Sequence, residues 1–312
     1  MGRKLFSEIS PLTYRIAVQR QRWQRRAKDL GRRGAFAAER SSEDLPVKVY
    51  RHNSLIRRRL GNTELDLQEG KARSLALSAP LVDGIVIRPG QTFSFWRLVG
   101  NPTRSRGYLP GVVINGDHAD VGIGGGMCQF TNLLHWMALH SPLTVVEHHH
   151  HSGLDLFPDF KRQIPFGTGT SIIYNFLDYR LRNDTGQSYQ FRVCVDDEYL
   201  RGQLLSDDTW PEKFHIREDE AYFYRTTDPA TGEEQVRRHN VVLREARSKR
   251  TGDVIRTERL LENDALVCYS PDLVTAPILP EKPRPARSAH SAETAESAGD
   301  LQSRRPDPPV PG

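Results

Sequence analysis

Gly124-Gly125-Gly126-Met127-Cys128-Gln129 opens a stretch that ends, past Pro142, in Leu143-Thr144-Val145-Val146-Glu147-His148-His149-His150-His151-Ser152. The three glycines allow backbone conformations closed to other residues and let a neighbour approach closely. Phe130, Leu133, Leu134 and Met137 then fall at i, i+3, i+4 and i+7, which predicts a helix from Gln129 to His140. Pro142 ends it, and the β-branched run Leu143 to Val146 predicts a strand. This change of period, from 3.6 to 2, predicts an α+β fold with that helix buried against a mainly antiparallel sheet.

The same stretch carries the candidate chemistry. A thiol at a helix start lies near free N–H groups and the positive end of the helix dipole, which favour thiolate. Cys128 is therefore the candidate nucleophile, and His149 or His151 the candidate base. Those two share one strand face; His148 and His150 share the other. Glu147, Asp155 and Asp178 are candidates to orient the base, and Gly124, Gly125, Gly126 and Gln129 to hold an oxyanion. Cys128 is then expected to be partly accessible, with a histidine from 148 to 151 within hydrogen-bond reach of the thiol or one water away. A zinc site from His148 to His151 with Cys128, His118 or Asp155 is a competing reading, but adjacent histidines lack the usual ligand spacing. A third reading is a non-catalytic module that grips a partner through the glycine turn and Trp96, Tyr108 and Trp136. No P-loop or dinucleotide fingerprint occurs, and no cofactor is expected.

Outward from this centre, short scaffold elements are expected. These are a helix from Glu64 to Ala79, a strand at Ile85-Val86-Ile87 and a turn at Arg88-Pro89-Gly90-Gln91. Strands are expected at Thr92 to Trp96, Val112 to Ile114 and Ile172 to Arg182. From Gln187 to Ser270 the texture is antiparallel β, with turn signals at Asp228-Pro229 and Thr251-Gly252. Eight of the 20 prolines follow residue 276, which predicts a disordered Pro-rich tail. The expected organisation is a basic helical extension (1–60), a core (61–186), a β region continuing that core or forming a small subdomain (187–275), and the tail (276–312).

Charge is uneven over the 312 residues. Residues 1–60 hold 16 Lys and Arg against 5 Asp and Glu, a net +11, although the whole chain is only +5. A basic helix from Ser10-Pro11 to Gly31 is expected, either packed on the body by its Leu, Ile and Trp side or touching an anionic membrane as a peripheral contact. No recognition motif accompanies the charge, so no nucleic-acid partner is expected. Mean hydropathy is −0.58. No apolar segment resembles a leader, and three scattered cysteines suit free thiols, so a cytoplasmic location is expected.

Residues 88–183 resemble the VanW-like proteins, named for an accessory protein of vancomycin-resistance gene clusters. The resemblance runs through Pro89 to Trp96, Val99-Gly100, Pro102-Thr103, Arg106-Gly107-Tyr108, Gly124 to Gly126, Cys128-Gln129, Glu147 to Ser152 and Asp155. It continues through Phe157-Pro158-Asp159, Arg162, Pro165-Phe166-Gly167 and Asn183. Where the family commonly shows Glu-Arg-His, this chain has Glu147-His148-His149. The resemblance implies a cell-wall or glycopeptide-antibiotic context rather than a reaction, and a peptide or cell-wall precursor as partner. Cysteine-dependent acyl transfer or hydrolysis is the expected chemistry, with the binding module as its alternative.

Overall fold

The computed structural model describes residues 11–31, 35–57, 65–115, 118–150, 153–156, 158–159 and 164–283. Its centre is an antiparallel sheet of β1 (Val47–Leu55), β10 (Tyr199–Ser206), β9 (Tyr189–Val195) and β2 (Val86–Ile87), in that spatial order. Two helices cover one face, α2 (Leu65–Val82) over β9 and α4 (Met127–Leu139) over β1 and β10. The helix expected from the i, i+3, i+4, i+7 pattern is thus present, and Phe130, Leu133, Leu134 and Met137 are fully buried in the core. The contact is close at Gly202, where a Cβ would meet Met137 at 2.7 Å and Leu133 at 2.8 Å.

Ser141 and Pro142 end α4 and turn the chain into β6 (Thr144–Glu147), the edge of a small sheet ordered β3 (Thr92–Ser94), β8 (Arg180–Arg182), β6. A hairpin of β4 (Pro110–Asn115) and β5 (His118–Ile123) leads into the glycine run. A second sheet is ordered β14 (Ile278–Leu279), β11 (Glu212–Thr227), β12 (Glu234–Ser248), β13 (Val254–Val267), β7 (Leu154–Asp155). Its three long strands are antiparallel and the two short edges parallel. The α+β, mainly antiparallel expectation holds.

Several local expectations change. Thr92 to Trp96 is not one strand: after Ser94 the chain enters α3 (Phe95–Val99), because the Asp178 carboxylate accepts the Trp96 N–H at 3.0 Å and caps the helix from outside. Ile172 to Arg182 is not continuous either. Ile173 and Leu177 bridge across a turn in which Asn175 takes φ 54°, a left-handed conformation Asn tolerates better than most residues. Residues 1–60 are not all helix, since β1 lies within them and completes the main sheet. The β region from 187 divides, β9 and β10 joining the main sheet and β11 to β13 forming the second. Ordered chain runs past 276, because β14 pairs with β11; residues 284–312 lie outside the described residues.

Helix α1 (Pro11–Leu30) is present, but it does not dock by its apolar side. Ile16, Trp23 and Leu30 are 49%, 67% and 51% exposed. The inward face is polar, with Arg25 paired to Glu147 and Asp29 to Arg180.

Candidate functional site

Three glycines shape the entry to α4, and each does so by packing. Gly126 caps the helix at φ 95°, and a Cβ there would strike Lys71 at 2.4 Å. A Cβ on Gly125 would lie 2.3 Å from the backbone carbon of Gly111, and one on Gly124 2.5 Å from Pro102. The run is the place where β4, α2 and the 102 loop meet the start of α4. Gln129, expected to help hold an oxyanion, donates instead to Ser54 Oγ (2.9 Å) and the Leu55 carbonyl (2.8 Å), tying α4 to β1.

Cys128 sits in the first turn of α4, as expected, but its environment reverses the expected acidity. Its side chain packs against the apolar core cluster. Burial pushes the thiol up, against a backbone N–H from Ile172 that favours thiolate. Its own carbonyl accepts from the hydroxyls of Thr131 (3.2 Å) and Thr170 (3.3 Å). Among the described residues no histidine hydrogen-bonds the thiol. His151 lies outside the described residues.

The histidines form a different constellation. His148 stacks on His135 of α4, rings 4.2 Å apart and 14° from parallel, and His150 stacks beyond His148 at 5.9 Å. His148 Nε2 donates to the Gly169 carbonyl (3.1 Å), and His135 Nδ1 meets the Tyr179 hydroxyl (3.1 Å). Burial drives His135 well below its usual range and His148 down to about 4, with neighbouring imidazoles adding to both. Tyr179 is pushed up by burial. His135 and His148 are therefore neutral at pH 7, rich in hydrogen-bonding atoms and poor in charge. Cys128, Asn132 and His135 share one face of α4 at i, i+4 and i+7. Asn132 Oδ1 accepts from the backbone (2.6 Å) and hydroxyl (2.9 Å) of Thr170, holding residues 169–171 along that face. Ser171 N–H in turn donates to the His149 carbonyl at 2.6 Å.

The expected orienting carboxylates are engaged elsewhere. Asp178, 1% exposed, accepts from Ser94 Oγ (2.5 Å), Trp96 N–H, Tyr179 N–H (2.9 Å) and Arg180 (2.8 Å). Glu147 does contact His149 (3.2 Å), the one expected acid–histidine pair among the described residues, but it also holds Arg25, Arg180 (3.4 Å) and the Asp178 N–H (2.8 Å). Burial would raise its carboxyl; Arg25, the Asp178 amide and His149 together bring it below the ordinary range. Asp155 belongs to the second sheet, buried against Arg238 (3.3 Å) and the Tyr269 hydroxyl (3.0 Å). Among the described residues no three His, Cys, Asp or Glu side chains converge as metal ligands would. Trp96, Tyr108 and Trp136, expected to grip a partner, are buried in the body.

A family model described as "VanW like protein" matches residues 70–205, from α2 to the end of β10. The "Vancomycin B-type resistance protein VanW" of Enterococcus faecalis is 33% identical over 210 residues, 67% of this chain and 74% of that protein. The chain belongs to the VanW-like family. The "Uncharacterized protein YoaR" of Bacillus subtilis is 28% identical over 128 residues, 40% of this chain and 39% of YoaR, so this chain spans well under half of that second relative. No solved structure matches.

Asn183, Phe166 and Gly167, which also carry the VanW-like resemblance, make structural contacts. Asn183 donates to the carbonyls of Ile87 (2.8 Å) and Gln187 (2.7 Å), locking the turn between β2 and β3. Gly167, at φ 83°, lies where a Cβ would strike Asn263 at 2.1 Å. The Phe166 carbonyl beside it accepts from Asn240 (3.0 Å) and Asn263 (3.1 Å), pinning that loop to the second sheet. Sequence reasoning missed His135, Asn132 and Thr170. For the first two the signal was present, since both lie on the Cys128 face of the helix at i+4 and i+7.

Proposed function

We propose that this VanW-like chain acts in the glycopeptide-resistance context of its relative as a non-catalytic binding module for a peptide-bearing cell-wall precursor. The observation that carries the reading is the stack of His135, His148 and His150, in which burial keeps His135 and His148 neutral, with His148 fixed on the Gly169 carbonyl instead of on the Cys128 thiol. Neutral donors and acceptors at a half-buried edge suit amide and hydroxyl groups, which bind by paired hydrogen bonds rather than by charge.

Titration calorimetry with a soluble muropeptide pentapeptide tests this. Wild type and Cys128→Ala are expected to bind within about twofold of each other, and His148→Gln about tenfold more weakly, the loss of roughly one good hydrogen bond. Absence of binding by the wild type would contradict the reading.

Cysteine-dependent acyl transfer or hydrolysis is the second reading. It is favoured by the position of Cys128 in the first turn of α4 and by the Ile172 N–H aimed at its sulfur. Turnover of the muropeptide by wild type, lost in Cys128→Ala, would establish it and displace the first.

A further inference from the structure

Helix α1 is docked inside out. Its inner face is polar: Arg25 donates to the Phe176 carbonyl (2.7 Å) and pairs with Glu147, and Asp29 takes both arms of Arg180 (2.9 and 2.7 Å). The Asn175 amide donates to the Arg22 carbonyl (3.1 Å). A helix held on a body by ion pairs ordinarily turns its remaining polar residues to water and buries its apolar ones. Here Ile16, Trp23 and Leu30 recur every seven residues, a spacing that returns to nearly the same side of a helix. All three are about half to two-thirds exposed. At ~1.5 Å rise per residue they form a ridge about 21 Å long. Arg20 and Arg26, also exposed, stand beside it, and exposed Lys28 lies further round the helix.

We propose that this ridge seats α1 in the interface of an anionic lipid membrane, with Trp23 at headgroup depth. An apolar stripe flanked by Arg, with Trp in its middle, is the pattern of a helix lying in the plane of a bilayer surface. Charge selects the occupant: residues 1–60 carry a net +11, which suits acidic headgroups and not a neutral apolar groove. No helix among the described residues is long and apolar enough to cross a membrane, so attachment through α1 would be peripheral. The ion pairs on the inner face fix the body to the same helix, and Arg25 joins it to Glu147, the residue before His148. The proposal is independent of what the histidine edge binds.

The test uses the full chain with vesicles of phosphatidylglycerol and phosphatidylcholine in equal parts, and with vesicles of phosphatidylcholine alone. Trp23 is a built-in probe, because Trp96 and Trp136 are buried and Trp210 is only partly exposed. The expected result is co-sedimentation with the anionic vesicles, a blue shift of tryptophan emission, and affinity falling about tenfold or more on raising salt from about 0.05 to 0.5 M. Trp23→Ser should abolish the blue shift and weaken binding about tenfold or more. Arg20→Gln with Arg26→Gln should weaken binding to anionic vesicles alone, by about tenfold or more. All three positions are exposed, so thermal unfolding of the variants should match wild type. Equal binding by wild type and Trp23→Ser would overturn the proposal. So would binding to neither vesicle, or, in place of vesicle binding, self-association that Trp23→Ser removes.

Discussion

Glu147 shows how a side chain readable as catalytic becomes architectural. From sequence it stands beside four histidines and reads as their orienter; in the fold it joins α1, β8 and the 178 amide through Arg25, Arg180 and a backbone N–H, with His149 as one partner among several. Asp178 makes the same point, its two oxygens consumed by a helix cap and Arg180. Neither partnership was legible, because Arg25 and Ser94 lie 122 and 84 residues away. The histidines carry a pH consequence. His148 and His140 both sit at about 4 through burial, and His135 is also driven well below its usual range, whereas in the unfolded chain each returns to about 6.5. Their folded values are depressed, so the unfolded chain binds more protons between these limits. Stability is complete above about pH 6.5 and is lost as pH falls toward 4. For His148 alone the loss is on the order of 2–3 kcal/mol. Urea unfolding at pH 7.0 and 4.5 should show this fall, and His148→Gln should remove part of it. A stability flat across that window would mean the imidazoles are hydrated.

At the scale of elements, α4 was legible from its 3.6-residue apolar period and β6 from its β-branched run, both signals local to the sequence. The short strands β3 and β8 were misread in length. Their ends are set by tertiary events, the Asp178 cap and the Asn175 turn, which leave no periodic trace. The docking side of α1 was also misjudged, since apolar spacing signals a face but not whether that face meets the body or its surroundings. The glycine run was read correctly as a place of close approach; what approaches is backbone at Gly125, and the side chains of Pro102 and Lys71 at Gly124 and Gly126. Gly125→Ala should therefore be costly, its Cβ meeting Gly111 backbone atoms at 2.3, 2.6 and 2.7 Å with no side chain able to yield. A loss of about 2–3 kcal/mol in equilibrium unfolding is expected. Gly186→Ala, with open space around it, should stay within about 0.5 kcal/mol. Equal effects at the two sites would refute the packing role.

Across the whole molecule, the VanW-like segment 70–205 supplies α3, α4, most of α2 and most of the main sheet, and chain on both sides of it completes the body. Helix α1 and strand β1 come from before it, and the long strands of the second sheet from after it. From within the segment, β7 and the Phe166 carbonyl bind that second sheet. This long-range assembly puts Asp155 with Arg238 instead of with the histidines, a pairing across 83 residues that no local pattern encodes. Cys128, half-buried against the apolar core in the first turn of α4, reads as part of a packed junction and not as an exposed nucleophile. Alkylation of the full chain by iodoacetamide, followed residue by residue in a mass spectrometer from pH 6 to 8.5, tests this most directly. Cys194 and Cys268 are exposed, so Cys128 should label at least about tenfold more slowly than either, its rate still rising at the highest pH. Cys128 labelling fastest, with a plateau below about pH 7 that disappears when His148 or His151 is replaced, would contradict the packed-junction reading and restore the cysteine as a nucleophile.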